Sequence, residues 1–459
     1  MAISKKIWQC IRKNWLTLAI FIGVVSGVLL GISLRALRDG HWSMRDSMYV
    51  SFIGEIFLNM LKCIILPLII PSVIVSIGSM DFSLSKKVAF HSVAYYLLTT
   101  LCAVALGIVL VTTIKPGEGA DNISEYDMKK NNVTTPDILL DLVRNFFPPN
   151  IVRATVAQQK TELIYPGDEA IEDEKTGAMI LPGDKDTWLF HTHWTDNTNF
   201  LGLIVFSIVV GIAIALSGPS GKPFLDFFES FSFVSMKIAT WIIHLSPFGL
   251  CFLIAGRIVG IKDLADQFSR LGWYFFTVIL GLLIHAFIVL PLFYTIITRR
   301  LPFRFILNLT NPLLTAFGTA SSSATLPMTI NALEENNNIS PRVTRFILPI
   351  GATINMDGTA LYEAVAALFI AQTAGLEPSP MEVIAIAFTA TAASMGAAGI
   401  PEAGIVTMVM VLDTLGLPAE GVALILSIDW LLDRCRTAVN VLGDSIGAGI
   451  VDHLNRNSL

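Results

Sequence analysis

The sequence predicts an all-α polytopic membrane protein with eight transmembrane helices and two re-entrant helical hairpins. Of its 459 residues, 53% are hydrophobic and only 15% are charged, with a mean hydropathy of +0.66. Soluble domains are about a quarter charged. Apolar runs of about 20 residues recur along the chain, as membrane-spanning helices require. Two later apolar segments are interrupted by Gly, Ser and Pro, which is typical of re-entrant segments in transporters.

The predicted membrane segments follow from these apolar runs. Six spans are expected at about Trp15–Leu34, Ile53–Ile77, Tyr95–Ile114, Phe200–Leu216, Phe231–Ala255 and Leu271–Ile297. The two hairpins are expected at Pro312–Leu333 and Met381–Leu412, and spans seven and eight at Phe346–Ala374 and Val422–Ile450. The composition gives no indication of nucleic-acid binding. The five cysteines lie in or beside apolar segments and imply neither a disulfide framework nor a zinc site.

A polar insert of roughly residues 115–199 separates spans three and four. It contains Asn122-Ile-Ser and Asn132-Val-Thr, two acceptor sequons for glycans on an extracellular loop. If the insert is outside the cell, three crossings place the N-terminus, and with it the C-terminus, in the cytoplasm. Most basic residues of the short loops agree with this orientation. Within the insert, Asp137–Phe147 is predicted to form a short amphipathic helix.

The eighth span carries charged side chains at helical spacing. Asp433, Arg436, Asn440 and Asp444 lie at i, i+3, i+7 and i+11, so a helix places them on one face. Asp429 precedes them by one turn. A charge in hydrocarbon costs a few kcal/mol or more, and this stripe therefore predicts a polar cavity at membrane depth. The alternative is a ligand-free ion pair between Asp433 and Arg436 within the helix.

The two interrupted hairpins each precede a helix with polar residues in mid-span. This repetition points to a transport site near the bilayer midplane, since unpaired backbone groups at a hairpin tip are tolerated only in a cavity or inside protein. The alternative interpretation is that the Ser and Gly runs are small-residue motifs for helix packing.

Several motifs in order identify a resemblance over nearly the whole chain. They are Ser321-Ser-Ser-Ala-Thr-Leu-Pro327, Asn355-Met-Asp-Gly-Thr359, Gly396-Ala-Ala-Gly-Ile-Pro401, and Asp433-Arg-Cys-Arg-Thr437 with Asn440 and Asp444. They resemble the excitatory amino-acid transporters of the dicarboxylate/amino-acid:cation symporter family. The resemblance implies a secondary active transporter for L-glutamate and L-/D-aspartate, not an enzyme. Transport would be driven by Na⁺ and H⁺ with K⁺ counter-transport, alongside an uncoupled anion conductance.

The resemblance also implies a plasma-membrane homotrimer with inverted repeats and an elevator mechanism, without an organic cofactor. Residues 1–85 (spans 1–2) and 200–264 (spans 4–5) would form the scaffold. Residues 86–114 (span 3) and 265–459 (spans 6–8 and both hairpins) would form the moving transport domain. Residues 115–199 would be the extracellular glycosylated insert with the start of span four.

An acidic amino acid requires one buried anion, one bidentate cation and neutral donors. By resemblance, Asp433 binds the amino group and Arg436 binds the side-chain carboxylate. The full expected substrate set is Ser321, Ser322, Ser323, Thr359, Ala398, Gly399, Ile400, Pro401, Asp433, Arg436, Thr437 and Asn440. An arginine at position 436 favours acidic substrates, because the neutral exchangers of the family lack it.

Three sodium sites are implied in the same way, each built from hard oxygen ligands. Their expected ligands are Asp444 with Gly351, Asn355 and Asn440; Thr353 with Ser394, Met395 and Ala397; and Asp357 and Asn355 with Tyr96, Thr99 and Thr100. For the last three residues, ordinary aromatic and threonine packing is the alternative.

Glu363 is the predicted proton carrier and a contributor to potassium binding. A lone carboxyl group in an apolar segment takes up a proton more readily than one in water, and the resemblance agrees. His285 is a weaker proton candidate.

Rival functions are a neutral amino-acid exchanger or plain dicarboxylate carrier of the same family, and a substrate-gated anion channel. An intramembrane aspartyl protease, prompted by Gly443-Asp444, lacks the second catalytic aspartate in a suitable span.

Overall fold

The computed structural model describes residues 15–37, 42–79, 86–118, 135–164, 171–172, 179–180, 189–260, 264–376, 378–396, 404, 407–409, 411–412 and 422–456. The predicted glycan acceptors Asn122 and Asn132 lie outside these residues. So do five predicted site residues of the second hairpin, Ala397, Ala398, Gly399, Ile400 and Pro401.

Helices account for almost all of the described chain. The helices of the first half are α1 (Trp15–Leu37), α2 (Met44–Gly78), α3 (Lys86–Ile114), α4 (Thr135–Phe146), the short α5 (Ile151–Ala154), α6 (Phe200–Leu216), α7 (Lys222–Ile243) and α8 (Ser246–Gly260). The second half contains α9 (Leu264–Ile284), α10 (Leu290–Thr298), α11 (Phe303–Leu307), α12 (Thr310–Thr319), α13 (Ser322–Asn331), α14 (Pro341–Ile354), α15 (Asp357–Thr373), α16 (Pro380–Gly396) and α17 (Val422–Asn455). Helix α4 confirms the amphipathic helix predicted in the insert.

The insert also contains β-structure, which corrects the all-α prediction. Strand β1 (Gln158–Ile164) pairs antiparallel with β4 (Leu189–Thr195), in a register that places Thr161 opposite Thr192. Strands β2 (Ile171–Glu172) and β3 (Met179–Ile180) form a second, shorter pair. The insert lies outside the apolar segments. Its backbone groups can bond to water, so they need not all be hydrogen-bonded within a helix. These strands were not predicted from the sequence.

Within the described residues, length and composition support five or six of the eight predicted spans. Helices α1, α2 and α3, the α9–α10 segment and the α14–α15 segment are each long and apolar enough to cross a bilayer. The pair α7 and α8 passes the same criterion as one broken span. Helix α6 has 17 residues and is shorter, and α17 carries the charged stripe.

Predicted span five is broken into two helices. The segment expected to run from Phe231 to Ala255 consists of α7 and α8, which meet at an angle of 51°. The break follows from Pro247, the second residue of α8, because proline disfavours a helical conformation at the preceding residue and cannot donate a backbone hydrogen bond.

Helix α1 packs closely on α8 through a glycine stripe. A Cβ atom on Gly23 would lie 2.3 Å from the carbonyl oxygen of Pro247, and one on Gly27 would lie 2.5 Å from that of Cys251. Such distances leave room only for hydrogen, so the stripe brings the two backbones into direct contact. This is the small-residue packing that membrane helices use in place of a hydrophobic driving force.

Helix α15 lies at the centre of the second half of the molecule. Every residue from Asp357 to Ala371 is buried, with α3, α9, α16 and α17 packed around it. The chain is non-helical at Asn355 and Met356, between α14 and α15. This break corresponds to the predicted Asn355-Met-Asp-Gly interruption and exposes polar backbone groups in the protein interior.

Helix α16 and the α9–α10 segment each contain one distinctive local feature. The N-terminus of α16 is fixed by a capping box, in which Ser379 Oγ accepts from the Glu382 amide and Glu382 Oε2 accepts from the Ser379 amide at 2.7 Å. Between α9 and α10 the chain forms one π-helical turn, His285–Val289. Such turns insert an extra residue and often occur at functional sites.

Candidate binding site within the membrane

Helix α17 turns its predicted polar stripe toward the protein interior. Asp429, Asp433, Arg436, Asn440 and Asp444 are all at most 4% exposed. The helical spacing in the sequence had placed these side chains on one face, and the structure buries that face. Buried charges must be paired or solvated, so the groups around them define the chemistry of the site.

Arg436 forms the centre of a buried ionic group. Its guanidinium donates to Asp433 Oδ1 at 2.9 Å and to Asp429 Oδ1 at 3.1 Å. The intrahelical pair between Asp433 and Arg436, the alternative raised by the sequence, is therefore present. It belongs to a larger group, because Asp429 also contacts the guanidinium. The three side chains together carry one net negative charge when all are ionised.

Tyr362 and Gly404 complete the surroundings of the guanidinium. The Arg436 Cζ atom lies 4.4 Å from the centroid of the Tyr362 ring, within the range of a cation–π contact. A Cβ atom on Gly404 would lie 2.5 Å from Cζ and both terminal nitrogens of Arg436. Gly404 is thus needed for the guanidinium to occupy this position. The sequence analysis did not predict either contact.

The next turn of α17 connects the ionic group to helix α15. Asn440 Oδ1 accepts from the Gly358 amide at 2.7 Å, and its Nδ2 donates to Thr359 Oγ1 at 3.2 Å. Thr437 Oγ1 donates to the carbonyl of Asp433 at 2.7 Å. Thr359, Thr437 and Asn440, all predicted substrate contacts, therefore lie together beside the ionic group.

The tip of the first hairpin lies between α12 and α13. Ser321 caps α13 by accepting from the Ala324 amide at 3.2 Å. Of the three predicted serines, Ser321 and Ser322 are buried and Ser323 is exposed. Arg434 on α17 donates to the carbonyl groups of Phe317 at 2.9 Å and Gly318 at 2.6 Å. These bonds attach the hairpin tip to the helix that carries Arg436.

A second polar cluster surrounds the break between α14 and α15. Thr100 Oγ1 donates to Asp357 Oδ1 at 2.7 Å, and Thr99 Oγ1 lies 3.3 Å from the same oxygen and 3.4 Å from Asn355 Oδ1. His285 Nε2 lies 3.1 Å from Asp357 Oδ2. Predicted cation ligands from α3 and α15 are thus brought together. The sequence had not placed His285 beside them.

Asp444 lies next to this cluster. Asn355 Nδ2 donates to Asp444 Oδ1 at 3.0 Å. A Cβ atom on Gly351 would lie 2.6 Å from Asp444 Oδ1 and 2.9 Å from the hydroxyl of Tyr96. We call Tyr96, Thr99, Thr100, His285, Gly351, Asn355, Asp357 and Asp444 the cation cluster. It unites the predicted ligands of two of the three sodium sites, except for Asn440.

The remaining predicted sodium ligands are not joined by a hydrogen bond among the described residues. Thr353 Oγ1 accepts from Ser76 Oγ at 3.0 Å and donates to the carbonyl of Ile350 at 2.9 Å. Ser394 Oγ donates to the carbonyl of Thr391 at 2.9 Å, and Met395 is half-buried.

Glu363 is completely buried on α15. Within the described part of the chain, neither carboxyl oxygen has a hydrogen bond of ordinary geometry, although the Thr407 side chain is near enough to interact with the carboxyl group. A carboxylate with at most one neutral partner is costly in such surroundings and a carboxylic acid is less so, which makes this residue suited to holding a proton.

The cation cluster is built mainly from oxygen atoms. Across the described residues, no group of three or more His, Cys, Asp or Glu side chains is arranged to hold a metal ion. The cation cluster offers hydroxyl, amide, carbonyl and carboxylate oxygens, the donor type that hard cations prefer.

These features define a class of molecule. It is a multi-pass membrane protein with a buried ionic group beside an oxygen-rich cluster. The chain matches the model of the sodium:dicarboxylate symporter family over residues 16–454. It belongs to that family and is a transporter, not an enzyme.

The chain is similar over almost its whole length to named members of the family. It is 48% identical to excitatory amino acid transporter 3 of Mus musculus over 98% of this chain and 87% of the relative. It is 47% identical to the putative sodium-dependent excitatory amino acid transporter glt-4 of Caenorhabditis elegans, with coverage of 98% and 91%. Excitatory amino acid transporter 1 of Ambystoma tigrinum is 45% identical, with coverage of 98% and 84%. At the level of the family, these relatives support sodium-dependent transport of acidic amino acids.

Proposed function

We propose that this protein takes up L-glutamate and L-/D-aspartate by secondary active transport, with symport of Na⁺ and H⁺ and counter-transport of K⁺. The observation that carries the proposal is the buried Arg436, held by Asp429 and Asp433 against Tyr362 and Gly404. A planar guanidinium is the side chain best matched to a carboxylate.

An acidic amino acid can enter this ionic group by an exchange of partners. Its side-chain carboxylate replaces Asp433 on the Arg436 guanidinium, and its ammonium group pairs with the released Asp433. Asp429 stays on Arg436 throughout. The groups that exchange partners, namely Arg436, Asp433, the side-chain carboxylate and the ammonium group, each keep an opposite charge, so the large penalty for breaking a buried ion pair is avoided. The main carboxylate then takes neutral donors, for which Asn440 and the Ser321–Ser323 tip are the proposed source.

We assign sodium to the cation cluster and to Thr353. Asp444 and Asp357 would supply negative charge, while Thr99, Thr100 and Asn355 would supply neutral oxygens. Because Asn440 contacts both Thr359 and Gly358, it connects the substrate residues to the break that carries the cation ligands. This connection is the proposed basis of coupling between substrate and sodium.

Glu363 is the proposed proton carrier. It would enter the inward step as the neutral acid and lose the proton to the cytoplasm. The returning protein would then bind K⁺ with the ionised carboxylate. Transfer of the proton therefore changes the charge of the buried segment between the two half-cycles.

The remaining family properties are proposed for the whole molecule. They are a plasma-membrane homotrimer with cytoplasmic termini, glycans on Asn122 and Asn132, and an uncoupled anion conductance. Residues 1–85 and 200–264 would form the scaffold, and residues 86–114 and 265–459 the transport domain. The transport domain would slide as an elevator.

The test is uptake of labelled L-glutamate into proteoliposomes that contain the purified full chain. External Na⁺, external pH and internal K⁺ are varied one at a time. We expect accumulation to require the Na⁺ gradient and to increase with external acidity and internal K⁺. L-aspartate and D-aspartate should compete, and L-serine and succinate should not. Competition by serine would instead indicate a neutral exchanger. Glutamate-gated anion current without isotope accumulation would indicate a channel.

A further inference from the structure

Helix α2 contacts the turn of α14 that precedes the central break. Ser76 Oγ donates to Thr353 Oγ1 at 3.0 Å across 277 residues of sequence, and both side chains are partly buried. Ser76 lies two residues before the end of α2, and Thr353 lies one residue before the end of α14. The two helices belong to different proposed domains, so this bond crosses the boundary along which an elevator must slide.

The Thr353 hydroxyl is fixed on both sides. It donates to the carbonyl of Ile350 at 2.9 Å, one turn back in its own helix, while it accepts from Ser76. The same turn contains Gly351, which contacts Asp444 and Tyr96, and it leads directly to Asn355. One helical turn therefore faces the cation cluster on one side and α2 on the other.

We propose that Ser76 is a positioning residue that acts through Thr353. Its hydrogen bond joins the cation-binding turn of α14 to the scaffold and favours the arrangement of the two domains seen in this structure. The inference rests on the domain division given under the proposed function. A slide by even one helical turn, about 5.4 Å, breaks a 3.0 Å hydrogen bond. The bond therefore stabilises one arrangement selectively, as a population shift requires.

The size of the effect follows from the chemistry of the bond. A hydrogen bond between two neutral hydroxyl groups changes an equilibrium by about two- to tenfold. Ser76→Ala should reduce the ratio of this arrangement to others by that factor. Ser76→Thr keeps the hydroxyl and should retain the ratio of the wild type.

The experiment measures distances between the domains and does not depend on transport. Spin labels are placed at Lys222→Cys on α7 and Leu301→Cys after α10, both exposed, in the full chain with its five native cysteines replaced. Pulsed electron paramagnetic resonance in lipid nanodiscs then gives the fraction of molecules at the separation found in this structure. A matched control is Ser72→Ala, because Ser72 bonds Ser232 of α7 at 3.3 Å, inside the proposed scaffold.

A double-mutant cycle assigns the effect to the bond. In a Thr353→Val background, Ser76→Ala should have no further effect on the distance distribution. The inference is overturned if Ser76→Ala gives the wild-type distribution, if Ser72→Ala shifts it equally, or if the Ser76→Ala shift persists in Thr353→Val. If labelled uptake fails while the Ser76→Ala shift is observed, the proposed function is wrong and the positioning role of Ser76 stands.

Discussion

The guanidinium of Arg436 is charged at every physiological pH, and at 1% exposure it has almost no contact with water. The carboxylates of Asp429 and Asp433 on the same helix compensate its positive charge. Removal of one partner from a buried ion pair costs about 3–5 kcal/mol. The position of Arg436 thus depends on side chains one and two turns away. Asp429 was noted in the sequence as part of the stripe, although no role was assigned to it.

Arg436→Cys should abolish high-affinity glutamate transport and admit small neutral amino acids. The substitution removes two charge-assisted hydrogen bonds to the substrate carboxylate, each worth about 1.5–3 kcal/mol, and leaves space for an uncharged side chain. We expect glutamate affinity to fall at least about 100-fold. Competition of labelled uptake by glutamate and by serine measures the change.

Arg434→Cys is the matched control for this prediction. It removes the neighbouring guanidinium, which contacts Phe317 and Gly318 of the first hairpin. The ratio of acidic to neutral substrate should remain that of the wild type. Unchanged glutamate affinity in Arg436→Cys would reject the assigned substrate site.

Glu363→Gln should preserve sodium-dependent exchange and stop net uptake. Glutamine has nearly the same shape and imitates the protonated acid, so the loaded half-cycle proceeds, but it cannot release a proton for the return. Exchange of labelled for unlabelled glutamate and net accumulation are measured in the same vesicles. Glu382→Gln, at the capping box of α16, should keep both. Net uptake with normal pH dependence in Glu363→Gln would exclude Glu363 as the carrier.

Among the secondary-structure elements, the interrupted helices position the polar groups of the candidate site. The break at Asn355 and Met356 frees backbone groups between α14 and α15. At the first hairpin tip, Ala320 adopts a left-handed conformation with φ of 51°, which costs a non-glycine residue about 1–2 kcal/mol. Arg434 bonds beside this tip and helps to hold it. The broken backbone at Asn355 and Met356 and the strained backbone at Ala320 therefore both lie beside predicted substrate or sodium residues.

Glu334 joins the end of the first hairpin to the start of α14. Its carboxylate accepts from Arg345 at 3.2 Å and from Thr344 at 2.7 Å, and these bonds, with Arg345 the larger cause, lower the pKa of Glu334. A lowered pKa means that the stabilisation is complete above the ordinary value of 4.5. It is lost as the pH falls through the lowered value.

Glu334→Gln should therefore lower thermal stability slightly at neutral pH. Because Arg345 is 69% exposed, we expect a loss of less than about 1 kcal/mol. The difference from the wild type should disappear at a pH below the lowered pKa, where the wild-type side chain is also neutral. Melting temperatures in detergent at both pH values measure it, with the exposed neighbour Glu335→Gln as the control. A difference that is constant with pH would contradict the ionic role.

At the scale of the whole molecule, the site depends on contacts between distant segments. The spacing of Asp433, Arg436 and Asp444 predicted the buried face, and the Asn355-Met-Asp-Gly motif predicted the break. Both signals lie within one segment. By contrast, the contacts of Gly404 with Arg436, His285 with Asp357, and Ser76 with Thr353 depend on how helices pack.

The fold prediction used patterns within single segments, and this explains the features that it missed. Apolar runs gave the positions of most helices, because hydrocarbon imposes a length and a polarity. They gave no sign of strands β1 and β4, which lie in the polar insert. They also joined α7 and α8 into one span, since apolar residues dominate on both sides of Pro247 and the angle of the break depends on tertiary packing.

The cation cluster connects α3, the π-helical turn after α9, α14, α15 and α17, so its occupancy should be visible in global stability. A ligand that binds only the folded state raises the free energy of unfolding. Once the ligand concentration exceeds the dissociation constant, this increase grows with the logarithm of the concentration. Sodium should therefore raise the melting temperature of the wild-type protein. Asp444→Asn removes a carboxylate beside Asn355, Gly351 and Tyr96, and the rise should need about tenfold more sodium or more, because a charge-assisted ligand contact is worth about 1.5–3 kcal/mol.

Asp452→Asn is the control for Asp444→Asn, because it removes a buried carboxylate without removing a proposed sodium ligand. Asp452 lies on the same helix, is 5% exposed and accepts from the Ser340 amide at 3.0 Å, outside the cation cluster. Its variant should lower the melting temperature at every sodium concentration and leave the midpoint of the sodium titration unchanged. Asp444→Asn should move that midpoint, with choline as the replacement cation. If the two variants give the same titration midpoint as the wild type, Asp444 does not bind sodium, and the cluster around the helix break serves only to hold α3, α15 and α17 together.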